Sequence, residues 1–285
     1  MKPMLKYRGG KTREIPRITR YIPNNYERYI EPFFGGGALY FHLEPHDALI
    51  NDLNEPLMEF YRSVAGDFPR LRRELDELGA IYQRNYDEYM RRKKADPHRR
   101  IHDDNEDLYY RLRLQFNGCQ PSPFSNATLY YFINKTAYSG MIRYNKAGHY
   151  NVPYGRYKHF NTAIVSQAHS QLLQRASIFS GDYQQVFRQA GPNDFMFLDP
   201  PYDSPFSDYG NKQARNGFSA DEHQRLARAF RSLPCKALMV MGKTNFMSEL
   251  YADYVIDEYD KSYAVNIRNR FKAQSTHLVI ANYQV

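Results

Sequence analysis

Short, nearly unbroken apolar runs stop abruptly at glycine, proline or an acid, and between them apolar residues recur at helical spacing. Arg28-Tyr29-Ile30 leads through Glu31-Pro32-Phe33-Phe34 into Gly35-Gly36-Gly37 and then Ala38 to Leu43. This succession predicts a strand, a glycine turn and a helix. The next run, Ala48-Leu49-Ile50, ends at Asn51-Asp52-Leu53-Asn54 and predicts a strand that delivers an acid to its carboxyl end. Asp194 to Leu198 reads as a buried strand, and it halts at Asp199-Pro200-Pro201-Tyr202, where two prolines cannot donate to a ladder. Asp221 to Leu233 spaces Leu226, Phe230 and Leu233 along one helical face with Ser219 as its cap. Ala237 to Met241 predicts another strand, and Leu278 to Ala281 a closing one.

Three textures follow one another. Residues 1–60 and 161–285 alternate strand-like and helix-like segments and read as one discontinuous α/β domain. Residues 61–160 are charged and tyrosine-rich, with amphipathic helices predicted at Leu71 to Leu78 and Leu108 to Phe116. Between these helices, Arg91 to Lys94 and Arg99-Arg100 face an acidic block from Asp103 to Asp107. The block reads as a solvated, mobile segment, although the same carboxylates would also suit a metal. No internal repeat is present.

Composition narrows the classes. No stretch approaches the roughly 20 apolar residues of a membrane span, and Met1 to Gly10 lacks the apolar segment of a secretory signal. A cytoplasmic protein is expected. Cys119 and Cys235 lie too far apart in sequence for a disulfide framework or an unaided zinc cluster. With 39 Lys and Arg against 31 Asp and Glu, the formal charge is +8, beside 26 Tyr and 18 Phe. Positive charge with amphipathic rings suits a surface that meets phosphates and bases. Tyrosines half-filling a polar core would give the same totals.

Three constellations carry chemistry. A glycine turn between strand and helix lets backbone N–H groups approach a ligand, and an acid after the next strand can bind two ribose hydroxyls. Gly35, Gly37 and Asp52 have this arrangement, though Gly-Gly-Gly-Ala is not the full dinucleotide fingerprint and a packing turn would read alike. Asp199-Pro200-Pro201-Tyr202 is more specific. An amine conjugated to an aromatic ring is a poor nucleophile until acceptors draw its hydrogens out of plane. Asp199 Oδ and the Pro200 carbonyl can do so, Pro201 brings no competing N–H, and Tyr202 can stack on the ring. An aspartate-capped proline turn is the plainer alternative. Finally, Lys6-Tyr7-Arg8-Gly9-Gly10-Lys11 would make an anion cradle with Lys11 in the first turn of a helix, fit for a carboxylate or a phosphate, although taken alone the hexamer reads better as a flexible basic N-terminus.

In this order the segments LKYRGGK, YIEPFFGGGALYF, INDLN, NKTAYSGMIRYNKAGHYNVPYGRYK, SGDY and FLDPPY resemble the alpha group, or D12 class, of DNA adenine-N6 methyltransferases, the Dam-type family. The match spans most of the chain. The resemblance implies an α/β fold: a seven-stranded, mostly parallel Rossmann-like methyltransferase sheet. An inserted, mainly helical target-recognition domain, carrying a β-hairpin, would occupy residues 61–160. It implies S-adenosyl-methionine as methyl donor with no metal, and a flipped adenine in double-stranded DNA as substrate. Tyr7, Lys11, Phe33, Gly35, Gly37 and Asp52 are then the expected cofactor contacts, with Lys11 at the carboxylate and Asp52 at the ribose. Asp182 and Tyr183 fall to the adenosine pocket, and Asp199 borders the methionine end. Asp199, Pro200, Pro201 and Tyr202 are the implied catalytic turn. Lys135, Tyr138, Ser139, Arg143, Asn145 and Pro153 belong to the DNA-reading hairpin, predicted from Lys135 to Tyr150, with Arg143 where GATC readers place a guanine contact. Arg143 could equally bind phosphate. A separate cognate restriction endonuclease, a monomeric state and a GATC-like site go with this expectation.

The chain departs from the family's pattern at Ser139, where GATC readers usually have asparagine, at Tyr7, where tryptophan is more usual, and at Gly242-Lys243, where Ser-Asn is frequent. Pro234-Cys235 is similar to the nucleophile dipeptide of cytosine-C5 enzymes. It follows the proline-turn strand rather than occupying that place, so Cys235 is expected in the core at the start of a strand. The proline turn by itself would also polarise an RNA adenine or a cytosine N4 amine, and a non-catalytic nucleic-acid-binding protein could retain the fold.

Overall fold

A computed structural model describes residues 1–7, 9–202, 218–262 and 274–285. Among these residues the strands are β1 (Tyr29–Glu31), β2 (Ala48–Asp52), β3 (Ala176–Ser180), β4 (Phe195–Leu198), β5 (Lys236–Gly242), β6 (Val255–Ser262) and β7 (Gln274–Ala281). They form one sheet in the order β3-β2-β1-β4-β5-β7-β6. The first five pair in parallel, while β7 enters antiparallel between β5 and β6. Leu278 to Ala281 therefore closes the chain but not the sheet, whose edge is β6. The helices are α1 (Ile15–Ile18), α2 (Ala38–Leu43), α3 (Glu55–Gly66), α4 (Phe68–Ala95), α5 (Asp104–Phe116), α6 (Asn126–Thr136), α7 (Gln167–Leu173), α8 (Tyr183–Phe187), α9 (Ala220–Arg231) and α10 (Asn245–Leu250).

Central strands buried on both faces need apolar residues at every position, and β4 (Phe-Met-Phe-Leu) is buried throughout. Alternation sends successive side chains to opposite faces. Tyr29, Ile50, Phe195, Phe197, Leu238 and Val279 join one core with α3, α4, α5, α6 and α7. Ile30, Leu49, Met196, Leu198, Met239 and Ile280 join a second core with α8, α9 and α10. The helices from the middle of the chain thus pack on one face of the sheet, through a core that runs from Phe34 and Phe41 to Tyr82 and Tyr109.

Several local expectations change in detail. The helix predicted at Leu71 to Leu78 is the start of the 28-residue α4, whose last turns hold Arg91 to Lys94. The acidic block is not loose: Asp103 caps α5 by accepting from Asn105 N, Asp104 and Asp107 lie in the first turn, and Arg92 and His102 pair with these acids. Carboxylates in a helix's first turn are stabilised by its unpaired N–H groups, so ordering them offsets their mutual repulsion. Ser219 caps α9 as expected, but the helix stops at Arg231, two residues short of the predicted Leu233. Cys235 is buried just ahead of β5, and burial pushes its thiol up to about 11. Among the described residues no helix is long and apolar enough to cross a membrane.

Candidate active site

The sheet order reverses between β1 and β4, and ligand crevices in open parallel sheets lie at such a point, beyond the carboxyl ends of the strands. Glu31 ends β1, Asp52 ends β2, and Asp199 follows β4 directly. Three carboxylates therefore reach one rim. Burial, with the charges of Asp199 and Asp52 nearby, pushes the Glu31 carboxyl well above its ordinary range, and the Tyr29 hydroxyl donates to it at 2.7 Å. Glu31 is not among the site residues expected from the sequence, although an acid directly before Pro32-Phe33 at a strand end was the available signal.

The glycine turn is built around Asp52. Gly35 N donates to Asp52 Oδ2 at 2.8 Å and Asn54 N to Oδ1 at 2.9 Å, so backbone donors fix both carboxylate oxygens. Burial raises the Asp52 pKa and these N–H groups oppose the shift. Asn51 ties the strand ends together, donating to Pro32 O and Gly181 O at 3.0 Å each. Gly35 and Gly37 have φ of +48° and +63°, in the region L side chains avoid. A Cβ on Gly35 would meet Tyr7 Cε1 at 2.7 Å, and one on Gly37 would meet Phe34 Cζ at 2.5 Å. Tyr7 thus lies over the turn. The N-terminal segment that carries it is pinned to α6, where Lys6 N and Asn134 Oδ1 are 3.0 Å apart and Asn134 Nδ2 donates back to Lys6 O.

An aromatic wall stands beside the turn. The Phe33 and Tyr183 rings are 5.2 Å apart, and Phe218 meets Phe33 edge-on at 6.1 Å. Asp182 caps α8 through Gln184 N, and both its oxygens accept from Arg225 Nη2, at 2.9 and 2.8 Å. Arg225 itself was not foreseen, because only the folded chain brings α9 against this cap.

Lys11 differs from its expected setting. Its carbonyl accepts from Glu14 N and Ile15 N, so it precedes the turn into the four-residue α1 rather than lying in a first helical turn. Its Nζ is buried and pairs with Asp199 Oδ1 at 2.5 Å. Burial raises the Asp199 pKa, and Lys11 pulls it back down. Pro200 is buried, and the Tyr202 ring lies 5.0 Å from Lys11 Nζ.

The predicted DNA-reading segment packs against the N-terminal segment that carries Tyr7, with Lys6 Nζ donating to Lys135 O at 3.0 Å. Lys135 belongs to the last turn of α6, over the Tyr131 ring, where burial and the nearby Lys6 lower its pKa to about 8. The hairpin therefore begins with a helix end, and its ladder is reduced to bridges at Tyr144–Tyr150 and Ala137–Tyr154. Side chains of α5 and its C-cap take over the backbone bonds: Asn117, the cap, pairs with both Tyr150 backbone groups, while Tyr109 and Arg113 donate to Val152 O. Asn145 closes the tip through His149. Arg143 is exposed and donates from Nε to Asn151 at 2.9 Å. Tyr138, Ser139 and Pro153 are exposed, and Ser139 is left-handed at φ +55°.

A family model for D12 class N6 adenine-specific DNA methyltransferases matches residues 7–265. Among curated proteins, the chain is 35% identical to the Type II methyltransferase M.CviBI of Paramecium bursaria Chlorella virus NC1A, over 99% of this chain and 100% of that one. It is 32% identical to the Type II methyltransferase M.MjaIII of Methanocaldococcus jannaschii over 99% of each. It is 30% identical to the DNA adenine methylase of Salmonella typhi, over 83% of this chain and 78% of that one.

Proposed function

The chain belongs to the D12 class of N6 adenine-specific DNA methyltransferases, and from that premise we propose that the crevice between β1 and β4 holds S-adenosyl-methionine and the target adenine. The donor set suits that cofactor: a backbone-fixed carboxylate for a diol, a buried ammonium for a carboxylate, and two adjoining rings that can pack against a purine. Its sulfonium methyl is already activated, so what it supplies is an electrophile that needs only alignment.

The protein's part is positioning. Asp52 accepts the ribose hydroxyls, Phe33 and Tyr183 flank the adenosine with Asp182 at its edge, Tyr7 covers the Gly35-to-Gly37 turn, and Lys11 holds the carboxylate. Asp199 and the Pro200 carbonyl, with Pro201 completing the turn, accept the two hydrogens of the target amine. This draws the nitrogen lone pair out of conjugation and toward the methyl. Tyr202 stacks on the extruded base, partly offsetting the few kcal/mol that flipping costs. The surplus amine proton leaves through Asp199 or water.

Residues 61–160 act as the target-recognition unit on double-stranded DNA. Arg143 reads guanine in GATC or a related site, Lys135 and Asn145 support the hairpin that presents it, and Tyr138, Ser139 and Pro153 line the same surface. The enzyme acts as a cytoplasmic monomer, with any cognate endonuclease separate. One observation carries the reading: the Asp199 turn shares a rim with Asp52 and is ion-paired to Lys11. Labelled methyl transfer to duplex DNA, single-stranded DNA and RNA, with mass spectrometry of the product, tests it. N6-methyladenine in duplex DNA is expected; product only in RNA, or only N4-methylcytosine, would refute it.

A further inference from the structure

Behind the Asp199-to-Tyr202 turn lies a buried polar cluster to which the mechanism above gives no part. Glu14 follows Lys11 in the N-terminal turn and is buried. Its Oε2 accepts from His277 Nδ1 at 2.9 Å and from the Tyr259 hydroxyl, and its Oε1 accepts from Lys261 Nζ at 2.5 Å. A carboxylate can only accept, so Nδ1 of His277 carries the hydrogen and the ring's orientation is fixed. His277, on β7, is fully buried, and its ring makes a T-shaped contact with Tyr202, centroids 5.2 Å apart and planes at 88°. A Cβ on Gly242 would lie 3.4 Å from Tyr202 Cδ2. Tyr202 is therefore bounded by β7, by the end of β5 and by Lys11 Nζ.

Buried ionic clusters are a poor source of stability, because desolvation consumes most of their attraction. What this one supplies is orientation. We propose that Glu14 and His277 form a positioning pair for Tyr202, setting the ring on which the target base stacks and coupling it to the N-terminal turn that carries Lys11. Neither residue touches the reacting atoms. The inference rests on the reading of Tyr202 as the stacking partner of a flipped adenine.

The test uses the enzyme with two duplexes: one with the adenine that the wild type methylates, for rates, and one with 2-aminopurine in its place, which lacks the N6 amine and serves for emission alone. His277→Asn keeps a donor where Nδ1 stands but removes the ring. Its melting temperature and cofactor affinity are expected to stay near wild type, its single-turnover rate to fall between about tenfold and a hundredfold, and 2-aminopurine emission in the complex to rise as stacking loosens. Glu14→Ala should show the same fall in rate and rise in emission, with a lower melting temperature because it leaves Lys261 and Tyr259 without their acceptor, whereas Glu14→Gln, which still accepts from Nδ1, should recover most of the rate. If the wild type is active and His277→Asn matches it in rate and emission, the inference falls. It falls equally if rate and melting drop together with emission unchanged, since the role would then be structural. Should His277→Asn fail to fold, equal rates for Glu14→Ala and Glu14→Gln overturn the inference. A wild type that methylates no adenine refutes the underlying reading instead.

Discussion

Lys11 Nζ lies 2.5 Å from Asp199 Oδ1, so the N-terminal turn and the proline turn, 188 residues apart in sequence, meet as one ion pair. Ionised, Asp199 is the stronger acceptor for an amine hydrogen and can take the surplus proton, and burial raises its pKa while Lys11 opposes the rise. The rate should therefore increase as pH climbs through the Asp199 pKa. Removing the cation in Lys11→Met removes the lowering influence, and the acid limb should move to higher pH. Single-turnover rates against pH, at saturating DNA and cofactor, measure the displacement; an unmoved limb would separate Lys11 from Asp199 ionisation.

The Glu14 carboxyl is shifted the other way, and its shift bears on stability. His277, Lys261, Tyr259 and the nearby Lys11 outweigh the effect of burial and hold its pKa at about 2, below the ordinary 4.5. A lowered carboxylate pKa contributes stability above the unfolded value that is lost as pH falls toward the folded one. The wild type should thus lose on the order of 2 to 3 kcal/mol relative to Glu14→Gln between about pH 5 and pH 2. Denaturant melts of both proteins across that window check it. Parallel curves would contradict it.

Gly37→Ala should be costly. The position needs φ of +63°, and the new Cβ would stand 2.5 Å from the ring of buried Phe34. Left-handed strain and overpacking together predict a loss of about 2 to 4 kcal/mol, read from the denaturation midpoint.

At the hairpin, Ser139 occupies a left-handed backbone at φ +55°, a conformation asparagine tolerates better than serine. Ser139→Asn should leave stability unchanged or slightly higher, and its effect should appear in site preference on a randomised duplex library. Arg143→Ala should relax the choice of one base by about 1 to 3 kcal/mol if the guanidinium reads guanine. A uniform loss of affinity with a shallower salt dependence would assign it to phosphate.

Much of the site was legible because its parts are local. The Gly35-to-Gly37 turn, the acid at Asp52 and the stop at Pro200-Pro201 each follow from a few adjacent residues whose backbone demands leave little choice. The apolar runs of β1, β2, β4, β5 and the end of β7 were equally plain, since strands covered on both faces are mostly apolar, whereas the edge strands β3 and β6 interleave Ser, Asp, Glu and Lys with apolar residues and were not foreseen. What stayed hidden was non-local. Glu14 meets His277 and Arg225 meets Asp182 only after strands and helices distant in sequence come together. The ordering of Asp103 to Asp107 was missed because charge density resembles a loose tail until the capping bonds of α5 are seen. The hairpin's missing ladder has the same origin, since the bonds that replace it come from Tyr109 and Arg113 on α5 and from Asn117 just after it.

The central claim, that the Asp199 carboxylate holds the target amine, is tested most directly by the single-turnover methyl-transfer rate of Asp199→Ala, measured with DNA and cofactor affinities on the same preparation. Losing the acceptor at the reacting nitrogen, together with its ion pair to Lys11, should slow transfer by at least about a hundredfold, with DNA binding largely retained. A variant that transfers methyl groups at close to the wild-type rate would contradict the account.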